Sequence, residues 1–211
     1  MMVSDAADGP RGRIGSMKKR ALVIIDVQES FRQRPIWAAI SNPEIAKQVS
    51  RLAEKFRASG EKIIWVLHAE PGTGNVFDPA EGFVRLLDGL EPAEGERVIT
   101  KTSHNAFTTT NLQQLLTEDG IGELVVCGIR TEQCVETTAR VGSDLGYDVT
   151  FVIDATATNP IEHRDAPAGR SVEEILADPR TLGVHEILAR TEYALAGRFA
   201  TISTVEELTG A

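Results

Sequence analysis

The stretch ALVIIDV at 21–27 decides the fold. It is rich in Val and Ile, does not alternate between apolar and polar, and carries one aspartate near its end. A strand buried on both faces reads this way, which means a parallel sheet covered by helices on each side. Working outward, similar runs stand at 62–67 (KIIWVL), 123–127 (ELVVC) and 148–153 (DVTFVI), with a shorter one at 97–100 (RVIT) and a weak sixth at 199–202 (FATI). Helical stretches lie between them. Residues 43–58 open behind Asn42, a good N-cap, and close before Gly60, with Ile45, Val49, Leu52 and Phe56 at helical spacing. Further helices are expected over 109–117, over 132–145 with Gly146 at the C-cap position, and over 182–195. Strand and helix in alternation predict a three-layer α/β/α fold with right-handed crossovers.

The chain has 211 residues, which suits one compact α/β domain able to bury roughly 70% of its unfolded surface. Its 22 Lys and Arg against 31 Asp and Glu leave a net charge of −9. An acidic surface repels phosphate backbones, and aromatics at 5% supply few stacking platforms, so nucleic acid is excluded as the main partner. Cys127 and Cys134 form no CxxC pair and no secretory segment precedes them. A reducing, cytoplasmic setting is therefore expected rather than a disulfide framework. No apolar run approaches the roughly 20 residues of a membrane helix. Residues 1–16 are polar and hold four Gly or Pro, which reads as a disordered leader or expression remnant ahead of a domain over 17–211. Two connections, 70–96 and 159–180, are long and rich in Gly and Pro, and long connections in α/β domains are usually functional or mobile.

Three reactive residues fall where strands end. Asp26 closes the first run, Lys101 follows RVIT, and Cys134 follows ELVVC after the turn GIRTEQ. Ligand crevices of open α/β sheets lie beyond the carboxyl ends of the strands, so a carboxylate, an amine and a thiol are expected to share one. That set is sufficient for nucleophilic catalysis. Each residue also has a structural reading: Asp26 as a paired buried acid, Lys101 as a solvated strand-end lysine, Cys134 as a small core filler. Cys134 is expected in the first turn of a helix, where the dipole and free N–H groups lower a thiol's pKa. Cys127, inside a strand, fits the filler reading.

The segments IIDVQESF (24–31), VITKTSHNAF (98–107) and CGIRTEQCVETTAR (127–140), in this order and in these strand-end contexts, resemble the isochorismatase-like cysteine hydrolase family. The likeness runs on through DATAT (154–158) to ISTVEEL (202–208). It implies a six-stranded parallel sheet in order 3-2-1-4-5-6 with helices on both faces. It also implies a catalytic triad of Asp26, Lys101 and Cys134. A non-proline cis peptide is implied at Ile129–Arg130, with the backbone N–H groups of Arg130 and Cys134 forming an oxyanion hole. Founding members of the family cleave the vinyl ether of isochorismate and lack this cysteine, so Cys134 favours C–N hydrolysis by acyl transfer.

Nicotinamidases of the family carry a zinc site of Asp-x-His type with a further His nearby. Here the matching residues are His68, Glu70 and, in place of the further His, Gly74. Two ligands do not hold zinc, so no metal and no cofactor are expected, and His68 is read as lining the crevice or capping its strand. Phe31 matches a family position that packs against substrate, with a core Phe as the alternative. Trp37 and Gln133 are further pocket candidates, and His104 and Asn105 face either the crevice or a subunit interface. Arg130 either binds a substrate carboxylate or pairs with Glu132 or Glu162, and a surface pairing is the favoured reading. The expected function is a metal-independent cysteine amidohydrolase acting on a small amide, ureido or lactam compound. Its rivals are an ester, thioester, nicotinamide or isochorismatase-type hydrolase, and a non-catalytic family fold used for binding or assembly. A homo-oligomer, dimer or tetramer, is expected, because family members usually assemble.

Overall fold

The computed structural model describes residues 18–210. The expected leader at 1–16 lies outside the described residues. In chain order the elements are β1 (Lys19–Ile25), α1 (Glu29–Arg32), α2 (Ile45–Ala58), β2 (Lys62–His68), β3 (Arg97–Lys101), α3 (Leu112–Glu118), β4 (Ile121–Ile129), α4 (Glu136–Asp144), β5 (Asp148–Ala157), α5 (Val172–Ala177), α6 (Val184–Leu195), β6 (Thr201–Ser203) and α7 (Val205–Thr209). The strands make one six-stranded sheet in the order β3-β2-β1-β4-β5-β6, and every pairing is parallel. The expected architecture and strand order are therefore found.

Two apolar clusters explain why the first run does not alternate. Leu22 and Ile24 of β1 pack on one face with Val49, Leu52 and Phe56 of α2 and with Trp65. Ala21, Val23 and Ile25 pack on the other face with Leu112 and Leu116 of α3 and Ala139 of α4. Successive residues of a central strand thus meet different layers, and both layers demand apolar side chains. Burial of each large aliphatic or aromatic side chain in these layers contributes about 1.5–3 kcal/mol. The edge strands read weakly because they are covered on fewer sides: Val98 of β3 is 48% exposed, and β6 spans three residues.

Some boundaries move. The second helix begins at Ile45, not at 43, because Asn42 does not cap it. The Asn42 side chain instead donates to the Asp154 carbonyl and ties this connection to β5. The third begins at Leu112, since Thr110 Oγ1 accepts the Leu112 N–H and donates to the Ala106 carbonyl, which holds the preceding residues in turns. The helix expected over 132–145 is two pieces, a π-helical turn at Thr131–Val135 followed by α4. Among the described residues no helix is long and apolar enough to cross a membrane.

Candidate active site

The carboxyl edge of the sheet brings Asp26, Lys101 and Cys134 together. Asp26 follows β1 directly and has φ 54°, the one non-glycine among the described residues in the left-handed region. Aspartate tolerates that conformation better than most residues. The Asp26 N–H donates to the Val66 carbonyl at 2.8 Å, which holds the turn against β2. Lys101 is the last residue of β3, and both it and Asp26 are fully buried. Its Nζ lies 2.7 Å from Asp26 Oδ2, 3.4 Å from Cys134 Sγ and 3.1 Å from the Ser103 carbonyl. A buried charge persists only when paired and hydrogen-bonded, and Lys101 has both kinds of partner.

Cys134 sits in the π-helical turn, 6% exposed, with its carbonyl accepting from Thr138 Oγ1 at 2.6 Å. The same Thr138 hydroxyl accepts the Ala106 N–H, so one side chain pins the cysteine backbone to the loop after β3. Burial pushes the thiol up to about 12, and the neighbouring Asp26 charge pushes in the same direction, with Lys101 opposing. This corrects the expectation of a thiol lowered by a helix terminus. Desolvation in a closed site outweighs the dipole of a first turn, so the resting thiol is protonated. Asp26 is likewise held above the usual carboxylate range, chiefly by burial, although Lys101 pulls it down. Cys127 is fully buried in the layer that contains α2, and burial raises its thiol too.

The peptide between Ile129 and Arg130 is cis. Directly before it, Gly128 has φ 130°, and a Cβ there would stand 1.9 Å from the Ile25 carbonyl oxygen. The end of β4 can approach the end of β1 this closely because the residue between them has no side chain.

His68 ends β2 and sits beside the triad. Lys101 Nζ is 3.3 Å from its Nδ1, and its Nε2 is 3.2 Å from Glu70 Oε1. Both ring nitrogens of His68 thus face a charged partner, Nδ1 the Lys101 amine and Nε2 the Glu70 carboxylate. Asn75 donates to the other Glu70 oxygen at 2.7 Å, and this bond is the main reason the Glu70 carboxyl lies below its ordinary value. Among the described residues no third His, Cys, Asp or Glu joins His68 and Glu70 in a group that could hold a metal ion.

The pocket candidates disperse. Phe31 is 7% exposed and packs edge-on against Phe77 with ring centroids 5.0 Å apart, and Phe77 also meets the His68 ring at 5.6 Å. Trp37 packs against the same layer as α2. Gln133, the residue before Cys134, lines a cleft of about 380 Å³ between the 34–36 segment and the 159–162 segment, and none of Asp26, Lys101 and Cys134 is among its lining residues. His104 stands in the loop after β3, where Asn105 bonds within its own turn to Phe107 and Thr108. Arg130 does pair with Glu132, at 2.9 Å, but not at the surface: its side chain is 13% exposed and lines the cleft. Its guanidinium also donates from Nη2 to the Asn159 carbonyl at 3.4 Å.

Two residues without an assigned role in the sequence help build the site. Gln28 donates to the His68 carbonyl and accepts the His68 N–H, clamping the end of β2 beside Asp26. Its signal is its place two residues after Asp26 within IIDVQESF at 24–31. Phe77 lies in the 70–96 connection, whose irregular sequence carries no periodicity that could have singled it out.

An all-parallel sheet of six strands in this order, with its crevice at the carboxyl edge, is the α/β architecture of isochorismatase-like hydrolases. The family model for the isochorismatase domain matches residues 20–178. The isochorismatase family protein YrdC of Bacillus subtilis (strain 168) is 32% identical over 192 residues, which cover 90% of this chain and 95% of YrdC. A streptothricin hydrolase of Streptomyces noursei is 35% identical over 144 residues, 67% of this chain and 56% of that protein. The crystal structure of an isochorismatase from Pseudomonas putida KT2440 superposes with a TM-score of 0.76 at 32% identity, covering 89% of each chain. The chain belongs to the isochorismatase family and is a hydrolase of that family.

Proposed function

We propose that this protein is a cysteine-dependent hydrolase that cleaves a C–N bond of a small amide, ureido or lactam substrate through a thioester. The observation that carries the reading is the buried cluster in which Lys101 Nζ reaches both Asp26, at 2.7 Å, and Cys134 Sγ, at 3.4 Å. Asp26 takes the thiol proton as Sγ bonds to the carbonyl carbon. The N–H groups of Arg130 and Cys134 hold the oxyanion. Asp26 then gives the proton to the leaving nitrogen, the C–N bond breaks and the amine departs. Water attacks the thioester as Asp26 accepts its proton, the C–S bond breaks, and the proton returns to sulfur with release of the acid. With the thiol pushed up to about 12, proton transfer to Asp26 must accompany attack, because solvent supplies almost no thiolate at neutral pH. Lys101 balances the negative charge that passes between Asp26 and the sulfur.

No metal enters this scheme. His68 is engaged at both ring nitrogens, by Lys101 and Glu70. The likeness to a protein named streptothricin hydrolase supports the hydrolase reading. The test is an ammonia- and amine-release screen over small amides, ureido compounds and lactams. Cys134→Ala is expected to lose nearly all turnover while remaining folded, and Cys127→Ala to keep activity at a cost of about 1 kcal/mol of stability. Turnover that survives in Cys134→Ala removes the thioester mechanism. A screen in which only esters or nicotinamide react moves the substrate class to the rival readings.

A further inference from the structure

The cleft lined by Arg130 and Gln133 has an uncompensated cation in its wall. Four charged residues line it: Arg34, Arg130, Glu162 and Arg170. Arg130 is matched by Glu132. Arg170 is matched twice, by Glu162 at 2.7 Å and by Asp178 at 2.9 Å. Arg34 is exposed and has no hydrogen bond or ion pair with the described residues through its side chain, although it lies near enough to Arg130 and to Glu70 to act on both by charge. Glu70 is already bonded to His68 and Asn75. In a chain of net charge −9, a cleft whose acids are all committed and whose rim carries a free guanidinium is suited to an anion.

The wall that presents Arg34 is built and stiff. Arg34 is extended and precedes Pro35, a position with little backbone freedom. The segment behind it is stapled to the end of β5: Asn159 Nδ2 donates to the Ile36 carbonyl at 2.9 Å, and Ser41 and Thr158 exchange two further bonds. Ile36, Ile161 and Ile175 give the cleft an apolar floor, and its volume of about 380 Å³ fits a small molecule. None of the triad residues lines the cleft; two of its lining residues, Arg130 and Gln133, belong to the turn that carries Cys134, which sets the cleft next to that turn.

We propose that the substrate is an amide with a short apolar body and a carboxylate at its far end, and that Arg34 is the specificity-determining residue that binds this carboxylate. The proposal rests on the hydrolase reading, in which the scissile carbonyl sits at Cys134 and the remainder of the substrate extends into the cleft. The charge-assisted hydrogen bond from Arg34 raises affinity for an acidic amide over a neutral analogue by about 10-fold or more.

The experiment measures binding rather than turnover, on full-length Cys134→Ala protein by calorimetry. The probes are malonamate, succinamate, glutaramate and adipamate, each paired with its neutral diamide. At least one monoamide is expected to bind about 10-fold tighter than its diamide, with the preference weakened by added salt. Adding Arg34→Gln is expected to bring that pair to near equality while the diamide's affinity and the thermal midpoint stay as they were. Equal affinities in every pair, absence of binding by every monoamide, or a preference that survives Arg34→Gln each overturn the proposal. Because the protein tested lacks the nucleophile, these outcomes are separate from those of the turnover screen. A wild-type protein that binds acidic amides through Arg34 but hydrolyses none would overturn the catalytic reading and the substrate assignment with it, and leave Arg34 as a carboxylate-binding residue.

Discussion

The single residue with the least freedom is Gly128. Its φ of 130° suits glycine, and the 1.9 Å separation between a built Cβ and the Ile25 carbonyl means that any side chain must push β4 away from β1. Gly128→Ala is expected to cost about 3 kcal/mol by chemical denaturation and to lower kcat by more than the stability loss explains, since both strands carry site residues at that point. An alanine variant with wild-type stability and kcat would show that the two strand ends are not held by this contact. Asp26 sets the pH behaviour at the same scale. As the base it must be ionised, and burial has moved its pKa above the ordinary value near 4, so kcat/KM should fall as pH drops through a value higher than that. Burial holds the Cys134 thiol above its ordinary value, so its ionisation should add no rising limb through the neutral range. A pH–rate profile with its acid inflection at or below about 4, or one climbing tenfold per unit through alkaline pH, would contradict this assignment of base and nucleophile.

Among the elements, the ends of β1, β2, β3 and β4 each contribute to the site, and the turns after them decide its chemistry. The π-helical turn at Thr131–Val135 places Cys134 where Lys101 and Asp26 can reach it. The apolar and polar pattern of the sequence from 132 to 145 is compatible with an unbroken α-helix, so nothing local announced the change. At the end of β2, Gln28 clamps the backbone of His68 while Lys101 and Glu70 occupy its ring. Activity is therefore expected to survive prolonged chelation with EDTA, measured in the same amine-release assay. Loss of activity that returns on adding zinc would mean that His68 and Glu70 serve as ligands instead. The connection after β5 is ordered by charge: Arg170 spans Glu162 and Asp178, and Arg180 holds Asp178 from the other side, so that Asp178 lies well below its ordinary pKa.

For the molecule as a whole, the two apolar layers account for its stability, and Arg34 lines a cleft next to the turn that carries Cys134. We propose that the chain assembles into a dimer or tetramer, on the strength of its family likeness. Sedimentation velocity across the micromolar range is expected to show a species heavier than the 22.9 kDa chain. A single species of monomer mass throughout that range would refute this. The strong negative charge should make the assembly more stable at higher ionic strength, because screening reduces repulsion between copies.

Much of this protein was legible in its sequence because the relevant forces act locally along the chain. A central parallel strand meets an apolar layer on each face, so ALVIIDV at 21–27 had to be a run rather than an alternation. Asp26, Lys101 and Cys134 could be named because strand ends in this topology converge on one edge, and the motifs mark those ends. The sign of the Cys134 shift could not be read in the same way. A helix terminus is a local feature, but desolvation sums over every segment that closes around the thiol, and that sum outweighs the terminus. Arg34 is the same kind of case. Nothing near RQRPIW at 32–37 distinguishes it from other surface arginines. Only when the fold sets that segment opposite Asn159 and Arg130, with the cleft's acids already paired, does its charge stand free in the wall of a cleft.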